Sequence, residues 1–79
     1  MDAPTTQTLL DSPHGEWQTV LSVEGERAFR RRLLELGFVA GTRVRIVGVA
    51  PLGDPLKLEI RHGNVSLRKA EAAIIRVQP

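Results

Sequence analysis

Apolar and polar residues alternate with period two along most of the chain, and between two such stretches the period changes to that of a helix. Trp17, Thr19, Leu21 and Val23 alternate with Glu16, Gln18, Val20 and Ser22, which predicts a strand with the Trp17 side inward. Glu24-Gly25-Glu26 then opens a helix over about 25–36, with Gly25 as N-cap and acidic residues at the positive end of the dipole. Phe29, Leu33 and Leu36 fall on one stripe facing the core, whereas Arg27, Arg30, Arg31 and Leu34 fall on the opposite side. Gly37 follows as the left-handed residue that ends the helix, and Gly41 marks a second turn, with Phe38 and Val39 as apolar anchors between them.

Beyond Gly41 the period is two again. Val44 and Ile46 alternate with Arg43 and Arg45 until the phase slips at Ile46-Val47-Gly48-Val49, which predicts a bulge at Gly48. The two prolines of Ala50-Pro51-Leu52-Gly53-Asp54-Pro55 break the strand. Leu56, Leu58 and Ile60 form the inward set of the next one, His62-Gly63-Asn64 its tight connection, and Val65 and Leu67 a short return strand. Residues 68–73 suit a single helical turn, and 74–77 a closing strand. The sum is a mainly β domain: about five strands, one helix between the first and second, and a helical turn before the last. A small curled barrel best removes the strand edges of so short a chain. Residues 1–12 read as a flexible leader whose Leu9 and Leu10 tuck under the barrel, and 13–79 as the domain proper.

Composition narrows the chemistry. With 79 residues and no cysteine, stability rests on aliphatic packing, since 42% of residues are apolar but only Trp17, Phe29 and Phe38 are aromatic. The net charge of +2 is too small to argue for nucleic acid, and an exposed stacking platform is not expected. The start carries no basic signal region and no run is apolar enough to cross a bilayer, so the expected location is the cytoplasm. Catalysis finds no support: the two histidines stand in turns, and no nucleophile, triad or phosphate loop is present.

Nothing requires a cofactor. His14 with Glu16, and His62 with Glu59, offer one imidazole and one carboxylate each. Such a set suits only a weak divalent site for Fe²⁺ or Zn²⁺, completed by a neighbouring molecule as a metal-mediated homodimer. The outward helix face of Arg27, Arg30, Arg31 and Leu34, together with Leu52-Gly53-Asp54, mixes arginine with apolar side chains in the manner of a protein contact.

Three blocks carry a resemblance: Arg32-Leu33-Leu34-Glu35-Leu36-Gly37-Phe38-Val39-Ala40-Gly41-Thr42-Arg43-Val44, then Ala50-Pro51-Leu52-Gly53-Asp54-Pro55, then Ser66-Leu67-Arg68-Lys69-Ala70-Glu71-Ala72-Ala73-Ile74. In this order they resemble the ferrous iron transport protein A family, FeoA. Gly15 corresponds to the family's glycine before the first strand, while the link at Glu24-Gly25 is shorter than in many members. The resemblance implies an SH3-like β-barrel without catalytic residues. It also implies an accessory role to FeoB, the membrane ferrous-iron permease with a GTPase domain, and hence a place at the inner membrane through FeoB. A related domain ends the iron-dependent repressors, which makes a metal-responsive module the alternative; the helix-turn-helix of a repressor is absent.

Overall fold

The computed structural model describes residues 7–61 and 63–79. Its strands are β1 (Gln7–Thr8), β2 (Gln18–Val23), β3 (Arg43–Val49), β4 (Leu56–Ile60), β5 (Gly63–Leu67) and β6 (Ile75–Gln78). Two helices, α1 (Arg27–Glu35) and α2 (Lys69–Ala72), and a 3₁₀ turn at Leu9–Asp11 complete the fold. The strands form one antiparallel sheet in the order β1-β6-β2-β3-β4-β5, curled around an aliphatic core as a small SH3-like barrel.

β4 shows how alternation becomes packing. Leu56, Leu58 and Ile60 are all buried, while Lys57 is exposed and Glu59 half-buried. Each such side chain contributes about 1.5–3 kcal/mol when removed from water. β3 bends where the phase of its sequence slips. Ile46 pairs with Leu58 and Gly48 with Lys57, which leaves Val47 as the unpaired, exposed residue of the bulge.

The end of α1 follows from two side chains and one missing Cβ. Gly37, at φ +112°, donates its N–H to the Leu34 carbonyl at 3.0 Å, and Phe38 donates to the Leu33 carbonyl at 3.1 Å. This is a Schellman closure, and the residues that it joins, Leu33 and Phe38, are both fully buried. The chain therefore leaves the helix already anchored in the core.

Several expectations are corrected. The inward residues at the start of β2 are Gln18 and Val20, not Trp17 and Thr19; Leu21 is 40% exposed. Val20 pairs with Val77 and Ser22 with Arg76, so Leu21 is an extra residue, and this bulge returns Val23 to the core. Two adjacent apolar residues, Val20 and Leu21, make the phase ambiguous in the sequence. α1 starts at Arg27 with Glu26 as N-cap. Gly25 (φ +95°) lies before it, where a Cβ would stand 3.0 Å from Ile74 Cδ1.

The sheet has six strands, not five, because residues 7–12 belong to the fold and do not form a leader. Gln7 and Thr8 pair with Val77 and Arg76, and Leu9 is fully buried with Leu10 packed beside it. The β4–β5 connection also sits further back than Gly63-Asn64, since these two residues pair with Ile60 and Glu59.

Candidate functional site

α1 buries one side chain completely against the barrel. Leu33 is fully buried, but Phe29 and Leu36, expected inward, are 36% and 39% exposed. The helix is only nine residues long and its attachment is concentrated at the Schellman end, so the apolar stripe extends past the core that it would need to cover. Arg27, Arg30, Arg31 and Leu34 are exposed, as expected. Arg31 pairs with Glu35 at 3.3 Å, a solvated i,i+4 pair that adds little to stability. Arg27 and Arg30 have no ion-pair partner among the described residues.

The opposite flank of α1 is fastened differently. The guanidinium of Arg32 pairs with the carboxylate of Glu71, whose side chain is only 5% exposed. The other oxygen of Glu71 accepts the Arg68 N–H at 2.8 Å, closing the start of α2. Between the two helices, Phe29, Arg32, Pro55, Ser66, Arg68 and Glu71 line a cleft of about 440 Å³. Phe29 thus presents an aromatic edge beside a charged strut. The sequence alone does not bring exposed Phe29 and Arg32 together with buried Glu71; the one local signal is Glu71 three residues after Arg68.

Pro55 carries the cleft toward the turn between β3 and β4. There Gly53 donates to the Ala50 carbonyl at 2.7 Å, Ala50 donates to the Pro55 carbonyl at 2.9 Å, and Asp54 Oδ1 accepts the Lys69 N–H at 3.1 Å. This bracing leaves Leu52 at the tip, 96% exposed. Asp54 is therefore committed to holding the turn against α2, while Leu52 is free to contact a partner.

His14 is exposed and lines a groove with Leu10, Val49, Gly53, Leu56 and Lys69, where the lysine ammonium opposes a divalent ion. Glu59 accepts from Arg45 Nε at 2.7 Å, and Glu16 is exposed. His62 lies outside the described residues. Among the described residues no three His, Cys, Asp or Glu side chains are grouped so as to hold a metal ion. No helix among them is long and apolar enough to cross a membrane.

A known family model, the FeoA domain, matches residues 7–79. The chain belongs to the FeoA family. Members of the family serve ferrous iron transport, and in one relative the domain is joined to FeoB in a single polypeptide. That relative, the Fe(2+) transport protein A/Fe(2+) transporter FeoB fusion protein of Porphyromonas gingivalis, is 45% identical over 64 residues. The match covers 81% of this chain but 8% of that protein, so the chain spans a small part of its relative. The FeoA protein of Chlorobium tepidum, solved by NMR, superposes with a TM-score of 0.83 at 36% identity, covering 91% of this chain and 69% of that one. Stenotrophomonas maltophilia FeoA, crystallised with zinc and described as an SH3-domain protein, gives 0.79 at 37% identity, covering 91% and 89%.

Proposed function

We propose that this FeoA protein is a non-enzymatic accessory factor of ferrous iron uptake, which binds and regulates FeoB on the cytoplasmic side of the membrane. The observation that carries the proposal is the covalent fusion of a FeoA domain to FeoB in the Porphyromonas relative, since joining two domains makes their encounter intramolecular. The Stenotrophomonas protein, described as a candidate activating factor for ferrous iron transport, supports the same direction.

The surface offered is the outward face of α1, with Arg27, Arg30, Arg31 and Leu34, extended by Leu52 at the tip of the turn braced by Gly53 and Asp54. Arginines around exposed apolar side chains suit a mixed or acidic partner surface, and the rigid turn lowers the entropy lost on docking. Replacing Leu34→Asp together with Arg31→Glu is expected to leave the fold intact and abolish co-purification with the FeoB cytoplasmic domain. Co-purification at the parent level would remove this surface from consideration.

The zinc complex of Stenotrophomonas FeoA favours a second reading, a metal-responsive module whose site is completed between molecules. Calorimetric titration of Zn²⁺ and Fe²⁺ into the parent, His14→Ala and His62→Ala proteins tests it. If both variants take up metal as the parent does, neither histidine is a ligand.

A further inference from the structure

A second surface, lined by no residue of α1 or of the turn at 50–55, gathers side chains suited to a ligand. Trp17, Ala40, Gly41, Thr42, Arg43 and Arg61 line an open groove of about 490 Å³. The strand register builds it: Thr19 pairs with Arg43, and Val44 with Ile60, so Arg61, the residue that follows β4, lies at the same end of the β3–β4 pair as Arg43. Both arginines are exposed, and neither has an ion-pair partner among the described residues.

Three features distinguish this pair from ordinary solvated charge. Two like charges that line one groove disfavour each other, and an anion between them relieves the repulsion. Arg61 holds φ at +53°, a left-handed conformation that costs a side-chain-bearing residue on the order of 1 kcal/mol. Ile60 pairs with Gly63, so Arg61 opens the tight connection between β4 and β5, where a hairpin calls for positive φ but favours glycine, asparagine or aspartate over arginine. Finally, Trp17 is fixed as a wall: the Arg45 guanidinium lies 4.7 Å from its ring centroid and is itself held by Glu59.

We propose that this groove binds a short acidic segment of a partner protein, with carboxylates on Arg43 and Arg61 and the segment's backbone against Trp17. Guanidinium forks match planar carboxylates, and tryptophan with arginine is the composition of interface contacts that matter most. The groove is open along its length, which suits an extended chain better than a small molecule that must be enclosed.

Trp17 is the only tryptophan and the chain has no tyrosine, so intrinsic fluorescence reports on the groove directly. The probe is a terminally blocked hexapeptide of alternating aspartate and glutamate, with its asparagine–glutamine counterpart and inorganic phosphate as controls. The acidic peptide is expected to change the emission saturably. Its affinity should fall about tenfold in Arg43→Gln/Arg61→Gln yet stay at the parent level in Arg27→Gln/Arg30→Gln, which removes the same net charge. If the first variant lacks a melting transition, Arg43→Gln alone takes its place, with about a threefold loss expected from one guanidinium. The proposal is overturned by no saturable change, by equal weakening in both double variants, or by phosphate or the neutral peptide binding as well as the acidic one. An emission change that follows protein concentration without peptide assigns the groove to a second copy and also overturns it. Because Arg43 and Arg61 lie outside α1 and the turn at 50–55, a loss of peptide binding in their variant is independent of the surface proposed for FeoB.

Discussion

The five residues of β4 bury three large side chains, whereas the nine of α1 bury one. Both segments carry the apolar spacing of their period, so the difference lies in what each has to pack against. β4 runs between β3 and β5 over the common core, and every inward position meets another strand's inward position. α1 gives that core one fully buried side chain, Leu33, beside the Schellman closure, and leaves Phe29, Leu34 and, at its C-cap, Leu36 partly exposed. The sheet is the scaffold, and the helix is a fastened platform that displays side chains.

This comparison can be broken at either end. Leu58→Ala removes a fully buried side chain from β4 and is expected to destabilise by about 2–5 kcal/mol in urea unfolding. A loss under about 1 kcal/mol would mean that the core is not close-packed at β4. Arg32→Met should cost about 1–3 kcal/mol, because the Glu71 carboxylate is left buried without its cation. Its exposed side chain makes Arg32 look dispensable, so an effect near zero would show that α1 is not fastened through this pair. Gly25→Ala is expected to lower the unfolding free energy by about 1–2 kcal/mol, from the left-handed backbone and the approach to Ile74. At the small end, Leu34→Ser should move stability by no more than about 0.5 kcal/mol. A change as large as that of Leu58→Ala would make α1 part of the scaffold after all.

Parts of this division were legible in the sequence. Strict alternation in Leu56-Lys57-Leu58-Glu59-Ile60 specifies both the strand and its buried face, and the slip around Gly48 specifies the bulge. Gly37 after Leu36 marks the helix end because few other residues accept its backbone. The misses have a common cause, which is that they depend on partners distant in sequence. Gln7-Thr8 is too short to show a period, and only β6 makes it a strand. The phase of β2 turns on a bulge that faces β6. The stripe Phe29-Leu33-Leu36 gives the side of α1 that would be buried if there were core to cover it, not the amount of core available. In the surface regions, Leu34 and Leu52 were accessible to reasoning, because one breaks the polarity of its face and the other sits in a turn. The Arg32–Glu71 strut and the Trp17-Arg43-Arg61 groove arise from register and were not.

The claim that the outward face of α1 is a contact surface that contributes little to stability is tested most directly by one paired measurement. The Leu34→Asp/Arg31→Glu protein and its parent are titrated calorimetrically against the FeoB cytoplasmic domain, and each is melted under the same buffer conditions. The expected result is a loss of measurable binding with the melting temperature within about 3 °C of the parent. Binding at the parent affinity, or a loss of binding that merely tracks a large fall in melting temperature, would contradict it.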